Sequence, residues 1–377
     1  MGRVWVGFLI LRPGSTHCEA WIDPESRDDY GRTLLSYAAS AYQGAGVVKL
    51  LLQREGVNPE PRDNFGRTPL SHAAGANQRE EVELLFEQEE VDPESRDNSG
   101  RTPLSHAASA YGGEGAVKLL LEREVNPESR DNSGRTPLSH AAGVYRGEGM
   151  VKLLLEREGV NPESPDNSGR TPLSYAAGAY HGAGVVRLLF EREEVNSESR
   201  DNFGRTPLSY AARSGSKESV KLLLERGGGG SEWPDTSGRT LLSFAAEGGN
   251  ERVLKLLLEL GEVNPESRDN SGRTPLSYAA SSGSEGVLKL LLEQEGVNPE
   301  SRDNSGRTPL SHTALPYKGV GVVKLLLERE EVNPESRDNS GRTPLSYTAG
   351  KGRLGIAKLL LEQGEVDPSV RSRPGPP

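Results

Sequence analysis

The chain has 377 residues, of which 33% are hydrophobic and 5% aromatic, and its formal net charge is −10. No block of Lys and Arg stands apart from acidic residues, which argues against nucleic-acid binding because that function needs clustered positive charge. The single cysteine, Cys18, excludes a framework of disulfides within the chain, and no apolar run approaches the ~18 residues of a membrane span. The lone cysteine and the absence of an Asn-x-Ser/Thr glycosylation acceptor suit a reducing compartment, so we expect a cytoplasmic protein, with the nucleus as the alternative.

One sequence recurs along the chain, as in residues 130–142, which read Arg-Asp-Asn-Ser-Gly-Arg-Thr-Pro-Leu-Ser-His-Ala-Ala. The glycine of each copy is followed by the next one after 34 or 35 residues. The ten glycines are Gly31, Gly66, Gly100, Gly134, Gly169, Gly204, Gly238, Gly272, Gly306 and Gly341. A fixed period in this range indicates a stack of one repeated supersecondary unit, and it overrides the two or three globular domains that length alone suggests.

Residues 1–21 do not fit this repeat, although they contain the apolar run 4–11. We predict that the run is the last helix of a truncated repeat that covers the open end of the stack, because residues 22–27 already carry the linker sequence of the repeats. The alternative is a signal peptide, but its apolar region would be short and no small-residue cleavage site is clear.

Each copy predicts a turn followed by a short first helix. In residues 97–100, Asp-Asn-Ser-Gly, the Asp and Asn side chains bond their own backbone and the Gly supplies positive φ. Thr102-Pro103 then predicts a helix start, because Thr caps free N–H groups and Pro at the first helical position needs no N–H. Ala107-Ala108 are small enough for close helix approach, and a Gly-rich connection ends the helix.

The second helix is predicted by Val and Leu at i, i+3 and i+4, as in residues 150–157. This spacing gives one apolar face, with Lys152 and Glu156 available to water. The Val-Asn-Pro-Glu-Ser segment that follows is predicted to run extended to the next turn, since Pro keeps the preceding residue out of the helical region.

Each copy resembles the ankyrin repeat. The resemblance is carried, in order, by the turn, Thr-Pro-Leu, Ala-Ala, a glycine and Val-Val-x-Leu-Leu-Leu. The resemblance covers about residues 22–368 in ten copies. It implies an all-α solenoid of about ten stacked helix-turn-helix units with short hairpin or turn tips. In the family a His usually follows Thr-Pro-Leu and bonds the neighbouring hairpin, whereas Ser stands there in every copy here, as at Ser105. The resemblance therefore implies weaker bonding between repeats.

Several segments depart from the pattern. The linker at 227–234 contains four consecutive glycines, which raise the entropy cost of order, so we predict a soft joint between repeats 1–6 and 7–10. Leu315-Pro316 must end the first helix of repeat 9 early. The last helix, 356–361, lacks the polar outer face of a capping repeat, so either a partner covers it or the chain is a piece of something longer. Residues 369–377 are predicted to be a disordered tail.

His72, His106 and His140 occupy one position in consecutive repeats. Equivalent atoms of adjacent repeats are about one helix spacing apart, ~8–10 Å, whereas zinc needs every ligand within ~2.3 Å. The three histidines therefore cannot share a metal. Tyr or Phe fills the position in other repeats, which favours half-buried packing.

Two glycine pairs, Gly182-Ala183-Gly184 and Gly319-Val320-Gly321, mimic the start of a dinucleotide fingerprint. Each follows a helix rather than a strand and lacks the third Gly or Ala. Since no phosphate loop or His-Glu-x-x-His motif is present either, the sequence predicts no enzyme, no cofactor and no metal site.

An Arg follows the tip glycine in all ten copies. Such a row could bind carboxylates of an extended acidic partner. The alternative is pairing with Asp and Glu of neighbouring tips, which the alternation of charges within each tip favours. The candidates for partner binding are Arg67, Arg101, Arg135, Arg170 and Arg205.

Aromatic residues at two kinds of position are further candidates. Repeats 1, 3, 4, 5 and 9 carry an extra residue between their helices, and each of these loops holds a Tyr between glycine-rich flanks. We expect these rings at the rim as binding residues, the alternative being that each folds back over its own helix. Phe65 and Phe203 replace Ser at the tip, where we expect them to be exposed. The five tyrosines are Tyr42, Tyr111, Tyr145, Tyr180 and Tyr317.

The sequence therefore predicts a non-enzymatic scaffold or signalling adaptor for protein partners, with no nucleic acid, membrane or metal. In proteins that resemble this one, partners bind the hairpin tips and the end of the first helix, on the concave side. The alternative is a recognition or regulatory tail of a larger NTPase signalling protein, because the uniform repeats are similar to those of fungal NOD-like receptor-type proteins. A regulatory subunit with its own ligand or activity is disfavoured by the missing motifs. The near-identity of the repeats has two explanations: recent duplication, or a periodic surface that binds a repetitive ligand.

Overall fold

The computed structural model describes residues 9–10, 21–227, 234–261, 263–314 and 319–364. The chain divides into two compact units, Met1–Asn196 and Ser197–Pro377. Within the described ranges the repeats form twenty helices, a first and a second helix in each of ten repeats, as the sequence predicted. In those ranges, no helix has both the length and the apolar character that crossing a bilayer demands.

The first unit contains repeats 1–5. Its first helices are α1 (Leu34–Ser40), α3 (Pro69–Gly75), α5 (Pro103–Ala108), α7 (Pro137–Ala142) and α9 (Pro172–Gly178). Its second helices are α2 (Ala45–Leu52), α4 (Arg79–Phe86), α6 (Glu114–Glu122), α8 (Glu148–Leu155) and α10 (Ala183–Phe190).

The second unit contains repeats 6–10. Its first helices are α11 (Pro207–Ser214), α13 (Leu241–Gly248), α15 (Pro275–Ser282), α17 (Pro309–His312) and α19 (Pro344–Gly350). Its second helices are α12 (Lys217–Glu225), α14 (Glu251–Glu259), α16 (Glu285–Leu292), α18 (Val320–Leu327) and α20 (Leu354–Gly364). As predicted, α17 is short, while Leu315-Pro316 itself lies outside the described residues.

The predicted turn and helix start are confirmed at the tips. Gly100 has φ 76°, and the Asp97 side chain accepts hydrogen bonds from the backbone N–H groups of Ser99 and Arg101 at 2.8 and 2.9 Å. Thr102 then caps α5 by accepting a bond from the Ser105 N–H at 3.3 Å. The cap satisfies one of the free N–H groups of the first turn, and Pro103 removes another.

Within each unit, first helices pack against first helices and second helices against second helices of the adjacent repeats. In repeat 2 the packed layer is made by Leu70, Ala73 and Ala74 of α3 and by Val82 and Leu85 of α4, all completely buried. Small alanines on the first helix let neighbouring first helices approach closely. The core is therefore a continuous layer within each unit and has no single centre.

Adjacent tips are joined by many hydrogen bonds. The expectation of weaker bonding between repeats considered only the missing His, whereas the bonds are made by other residues of the tip. The backbone N–H of Asn98 donates to the Phe65 carbonyl at 2.8 Å, and its side-chain amide donates to the Asn64 carbonyl at 3.0 Å. Asn98 was expected to bond its own backbone, but it reaches the preceding tip instead. The Arg96 guanidinium also bridges two repeats, donating to the carbonyls of Gly100 at 3.0 Å and Arg130 at 2.5 Å.

The prediction of an extended linker is wrong at its Asn-Pro-Glu-Ser part. The Ser129 N–H donates to the Asn126 carbonyl at 3.3 Å, closing a turn, and the Asn126 side chain accepts from the Glu128 N–H at 2.9 Å. Asn favours this geometry because its side chain substitutes for a backbone acceptor. The Ser129 hydroxyl donates to Glu94 of the preceding linker at 2.8 Å, so the linkers are also joined laterally.

The predicted N-terminal helix is wrong at the two described positions of its apolar run. Leu9–Ile10 form a two-residue strand (β1) that pairs antiparallel with Trp21–Ile22 (β2). The other residues of the run lie outside the described ranges, as do most of the joint predicted at 227–234 and the tail at 369–377.

Candidate functional site

In repeats 1–4, 6, 7, 9 and 10 the side chain of the tip Arg pairs with the Asp at the start of its own tip. In repeat 3 the Arg101 Nη2 lies 3.2 Å from Asp97 Oδ2, and in repeat 2 the same pair, Arg67 and Asp63, is 2.8 Å apart. In these repeats the expected pairing with neighbouring tips is thus replaced by pairing within the tip, because the hairpin turns the Arg back over the buried Asp. Arg135 and Arg205 make the same contact, at 3.0 and 2.9 Å.

Four repeats place a His on the same Asp oxygen. The Nε2 of His106 lies 3.0 Å from Asp97 Oδ2, and both side chains are nearly buried. Burial lowers the pKa of His106 to about 4, and the positive charge of Arg101 acts in the same direction, against the attraction of Asp97. Burial alone would raise the pKa of Asp97, but the hydrogen bond from the Arg101 backbone N–H and the positive charge of the Arg101 side chain bring it below its ordinary value. The neutral His thus holds a charged Asp, which fits the predicted packing role.

Tyr takes over the same bond in other repeats. The Tyr175 hydroxyl donates to Asp166 at 2.6 Å, while the Arg170 guanidinium lies over the Tyr175 ring, 4.1 Å from its centroid. Burial and the bond to Asp166 raise the pKa of Tyr175 to about 12. Arg170 thus lies over the Tyr ring of its own repeat, as Arg205 does over Tyr210, 5.1 Å from the ring centroid.

A groove of about 360 Å³ crosses the first helices of repeats 1–3 in the first unit. Arg67, Arg101, His72 and His106 line it on the tip side, and the small residue Gly75 lies among its other lining groups. The structure therefore brings two of the predicted arginines together in one groove across the first helices. Arg135 is not among the lining residues of this groove, and Arg205 belongs to the second unit.

The predicted loop tyrosines are exposed wherever the structure describes them. The exposed fractions are 85% for Tyr42, 67% for Tyr111, 51% for Tyr145 and 78% for Tyr180. Tyr317 lies outside the described residues. The four rings stand at the ends of the first helices opposite to the tips, since each follows its first helix whereas the tip precedes it.

Three of these rings belong to one cluster. Tyr111 and Tyr145 stack with their centroids 6.1 Å apart and an interplanar angle of 8°. His181 meets Tyr145 and Tyr180 edge to face, with centroid distances of 5.1 and 4.4 Å. The Arg146 guanidinium lies 5.8 Å from the Tyr145 centroid, and the nearby Tyr111 hydroxyl raises the pKa of Arg146. We call these five residues the aromatic row.

His181 and Arg146 were missed by sequence reasoning. The signal was their position, since each directly follows the loop Tyr of its repeat. The pattern of the loop alone did not show that side chains from three consecutive repeats touch one another.

Glycine gives these loops their shape. Gly147 precedes α8, and a Cβ there would collide with the carbonyl oxygen of Ala141 at the end of α7. The backbone of the loop thus passes against the end of α7 two residues after Tyr145, at a point that has no room for a side chain. Gly113 and Gly182 make the same close approach in the neighbouring repeats.

The tip phenylalanines are about half exposed, Phe65 at 52% and Phe203 at 54%. Each lies beneath the Arg of its own tip. The guanidinium of Arg67 is 5.0 Å from the Phe65 centroid, and that of Arg205 is 4.6 Å from the Phe203 centroid. Part of each ring is therefore covered by an Arg that is itself a candidate for partner binding.

Comparison with known protein families identifies the repeated unit. No curated protein matches the chain. The family model of ankyrin repeats (3 copies) matches overlapping segments, at residues 9–97, 35–131, 80–166, 106–199, 144–233, 229–303 and 287–372. Ankyrin repeats are generally protein-interaction modules, and these matches agree with the capped helix pairs and tips described above. The chain belongs to the ankyrin-repeat family.

Proposed function

We propose that the chain is a non-enzymatic scaffold that binds an extended segment of a protein partner across the tips and first helices. The observation that carries this proposal is the groove of about 360 Å³ between Arg67 and Arg101. Apart from the two arginines and two histidines on its tip side, its lining residues are Ser, Ala and Gly, so a partner backbone can lie close to the first helices.

The charges of the groove favour an acidic partner segment. Arg67 and Arg101 use Nε and Nη2 for their own Asp, and a guanidinium has five N–H donors. The side chains are 30% and 31% exposed, so the remaining donors are accessible to a carboxylate. The internal ion pairs hold each guanidinium in place, which reduces the entropy lost on binding.

The test is a substitution that fills the groove. Gly75 is exposed, and an added Cβ would meet only the His106 side chain, at 3.7 and 3.9 Å. Peptides are first selected from a displayed random library against the full chain, and their affinities are then measured for Gly75→Trp. We expect acidic peptides whose affinity falls about tenfold or more.

Gly350→Trp is the matched control. Gly350 ends α19 at the same helical position, with nothing within 4 Å of an added Cβ. Unchanged binding of every selected peptide to Gly75→Trp would argue against the groove as the partner site.

We place this scaffold in the cytoplasm or nucleus, on the grounds of the single cysteine and the redox compartment it suits. The recognition tail of a larger NTPase signalling protein stays an alternative setting for the same surface. The groove serves either role, because both need only that the repeats bind a partner.

A further inference from the structure

The aromatic row is a second surface, separate from the groove. It spans the loops of repeats 3–5, while the groove crosses the first helices of repeats 1–3. Its rings are exposed yet ordered against one another, through the Tyr111–Tyr145 stack and the two edge contacts of His181. Aromatic rings held this way present a large contact area at a low cost in side-chain entropy.

The spacing of the loops matches one particular backbone conformation. Successive packed helices lie ~8–10 Å apart, which sets the distance from one loop to the next. A polyproline II helix has three residues per turn and rises ~3.1 Å per residue, so one turn advances about 9 Å. A peptide in this conformation, running along the stack, therefore advances from one loop to the next in about one turn. Because the Tyr111 and Tyr145 centroids are only 6.1 Å apart, one residue covers this pair, and the residue three positions further on reaches Tyr180 beside His181.

The row also carries a positive charge that is open to a ligand. Arg146 makes no ion pair with a carboxylate among the described contacts, and its guanidinium lies 5.8 Å from the centroid of the Tyr145 ring. Its φ is 61°, in the left-handed region that disfavours residues with a side chain. The equivalent position of repeat 3 is Gly112, with φ 72°. Arg thus stands where the backbone favours Gly, and its guanidinium is directed to the row.

We propose that the aromatic row binds a proline-rich segment of a partner in the polyproline II conformation, with prolines at every third position and an acidic residue that pairs with Arg146. Proline rings pack on the exposed side of the stacked Tyr111–Tyr145 pair and on Tyr180, as in other aromatic-lined sites for such peptides. The pre-formed conformation of the peptide limits the entropy lost on binding. This proposal does not depend on the groove.

The experiment uses the full chain and a fluorescein-labelled peptide, Glu-Pro-Pro-Ala-Pro-Pro-Ala-Pro-Pro, with binding followed by fluorescence anisotropy. We expect saturable binding that Tyr145→Ser weakens about tenfold or more. Tyr42→Ser is the matched control, since Tyr42 occupies the same loop position in repeat 1, is 85% exposed and lies outside the row. Circular dichroism of both variants checks that the helices remain.

Two altered peptides test the chemistry. Replacing the prolines by glycine removes the polyproline II preference and should abolish binding. Replacing Glu by Lys should weaken binding several-fold to the natural chain, and this difference should vanish in Arg146→Gly.

Several results would overturn the proposal. They are no saturable binding, equal affinity of Tyr145→Ser and the natural chain, or equal binding of the glycine peptide. Loss of binding in Gly75→Trp alone would instead assign the peptide to the groove, which supports the proposed function and contradicts the row. Binding of a linear glucan hexasaccharide at Tyr145, without binding of the proline peptide, would show the row to be a carbohydrate site.

Discussion

The Nε2 atom of His106 lies 3.0 Å from Oδ2 of Asp97, at the base of a tip whose Asp also organises the turn backbone. One carboxylate thereby joins the turn, the tip Arg and the first helix. Because His, Tyr or Phe fills this position in different repeats, the same Asp faces a His, a Tyr hydroxyl or a ring without a donor. These natural differences make the position suitable for measuring what each contact contributes.

The buried histidines predict a loss of stability in mild acid. The pKa values of His106 and His140 are about 4 in the folded protein, against 6.5 as the ordinary value. The unfolded chain therefore binds more protons between pH 6.5 and 4, so the free energy of unfolding falls as the pH falls through this window. From pH 7 to pH 5 we expect each His to cost about 2 kcal/mol, measured by urea unfolding at the two pH values.

Tyr is the natural replacement at these two positions. The double variant His106→Tyr, His140→Tyr should lose clearly less stability between pH 7 and 5, because Tyr does not titrate there. Asp97 and Asp131 have lowered pKa values and stay ionised at pH 5 in both proteins. The guanidinium groups of Arg101 and Arg135 are present in both the natural chain and the double variant, so their charges do not account for a difference between the two proteins. An equal acid sensitivity of the double variant would show that the two histidines are not its source.

Tyr278 and Phe244 form a matched pair at the equivalent position of repeats 8 and 7. The Tyr278 hydroxyl donates to Asp269 at 2.6 Å, whereas Asp235, opposite Phe244, is held by two bonds from Arg239, each 3.2 Å long. Tyr278→Phe should lower the free energy of unfolding by about 1–3 kcal/mol, because a buried carboxylate loses a donor. Phe244→Tyr should raise it by up to about 1 kcal/mol. A stabilising Tyr278→Phe would contradict this assignment.

The period of the sequence predicted most of the local structure correctly. The Thr102 cap and the positive φ of Gly100 depend on residues within one tip, so a single copy contains the needed information. The bond from Asn98 to the preceding tip and the pairing of Arg101 with its own Asp97 were not predicted. Both depend on which carbonyl or carboxylate the closed hairpin places within reach.

The candidate site was predicted less completely. The exposure of Tyr111 and Tyr145 follows from their place in a loop between short helices. Their stacking, and the contact with His181 of the following repeat, depend on how three loops align when the helices pack. Neither the composition of a loop nor its spacing in the sequence fixes that alignment.

Gly147 and Gly149, two residues apart, should respond differently to alanine. A Cβ at Gly147 would collide with the Ala141 backbone carbonyl, which cannot move without shifting α7. A Cβ at Gly149 would meet the end of the Glu114 side chain, which is free to rotate away. Gly147→Ala should therefore cost about 1–3 kcal/mol of unfolding free energy, while Gly149→Ala should show no loss, since Ala favours the helix. Equal effects in urea unfolding would contradict the close approach at Gly147.

Arg146→Gly separates stability from binding. Arg146 has φ 61° and Gln43, at the same loop position in repeat 1, has φ 62°. Glycine adopts this conformation without strain but adds freedom to the unfolded chain. Both Arg146→Gly and Gln43→Gly should therefore keep or slightly raise the melting temperature, measured by circular dichroism.

Only Arg146→Gly should remove the preference for the Glu peptide over its Lys version, because Gln43 does not belong to the aromatic row. A clear fall in melting temperature for Arg146→Gly but not for Gln43→Gly would mean that the contact with Tyr111 stabilises the fold, and Arg146 would then be retained for stability and not for a ligand.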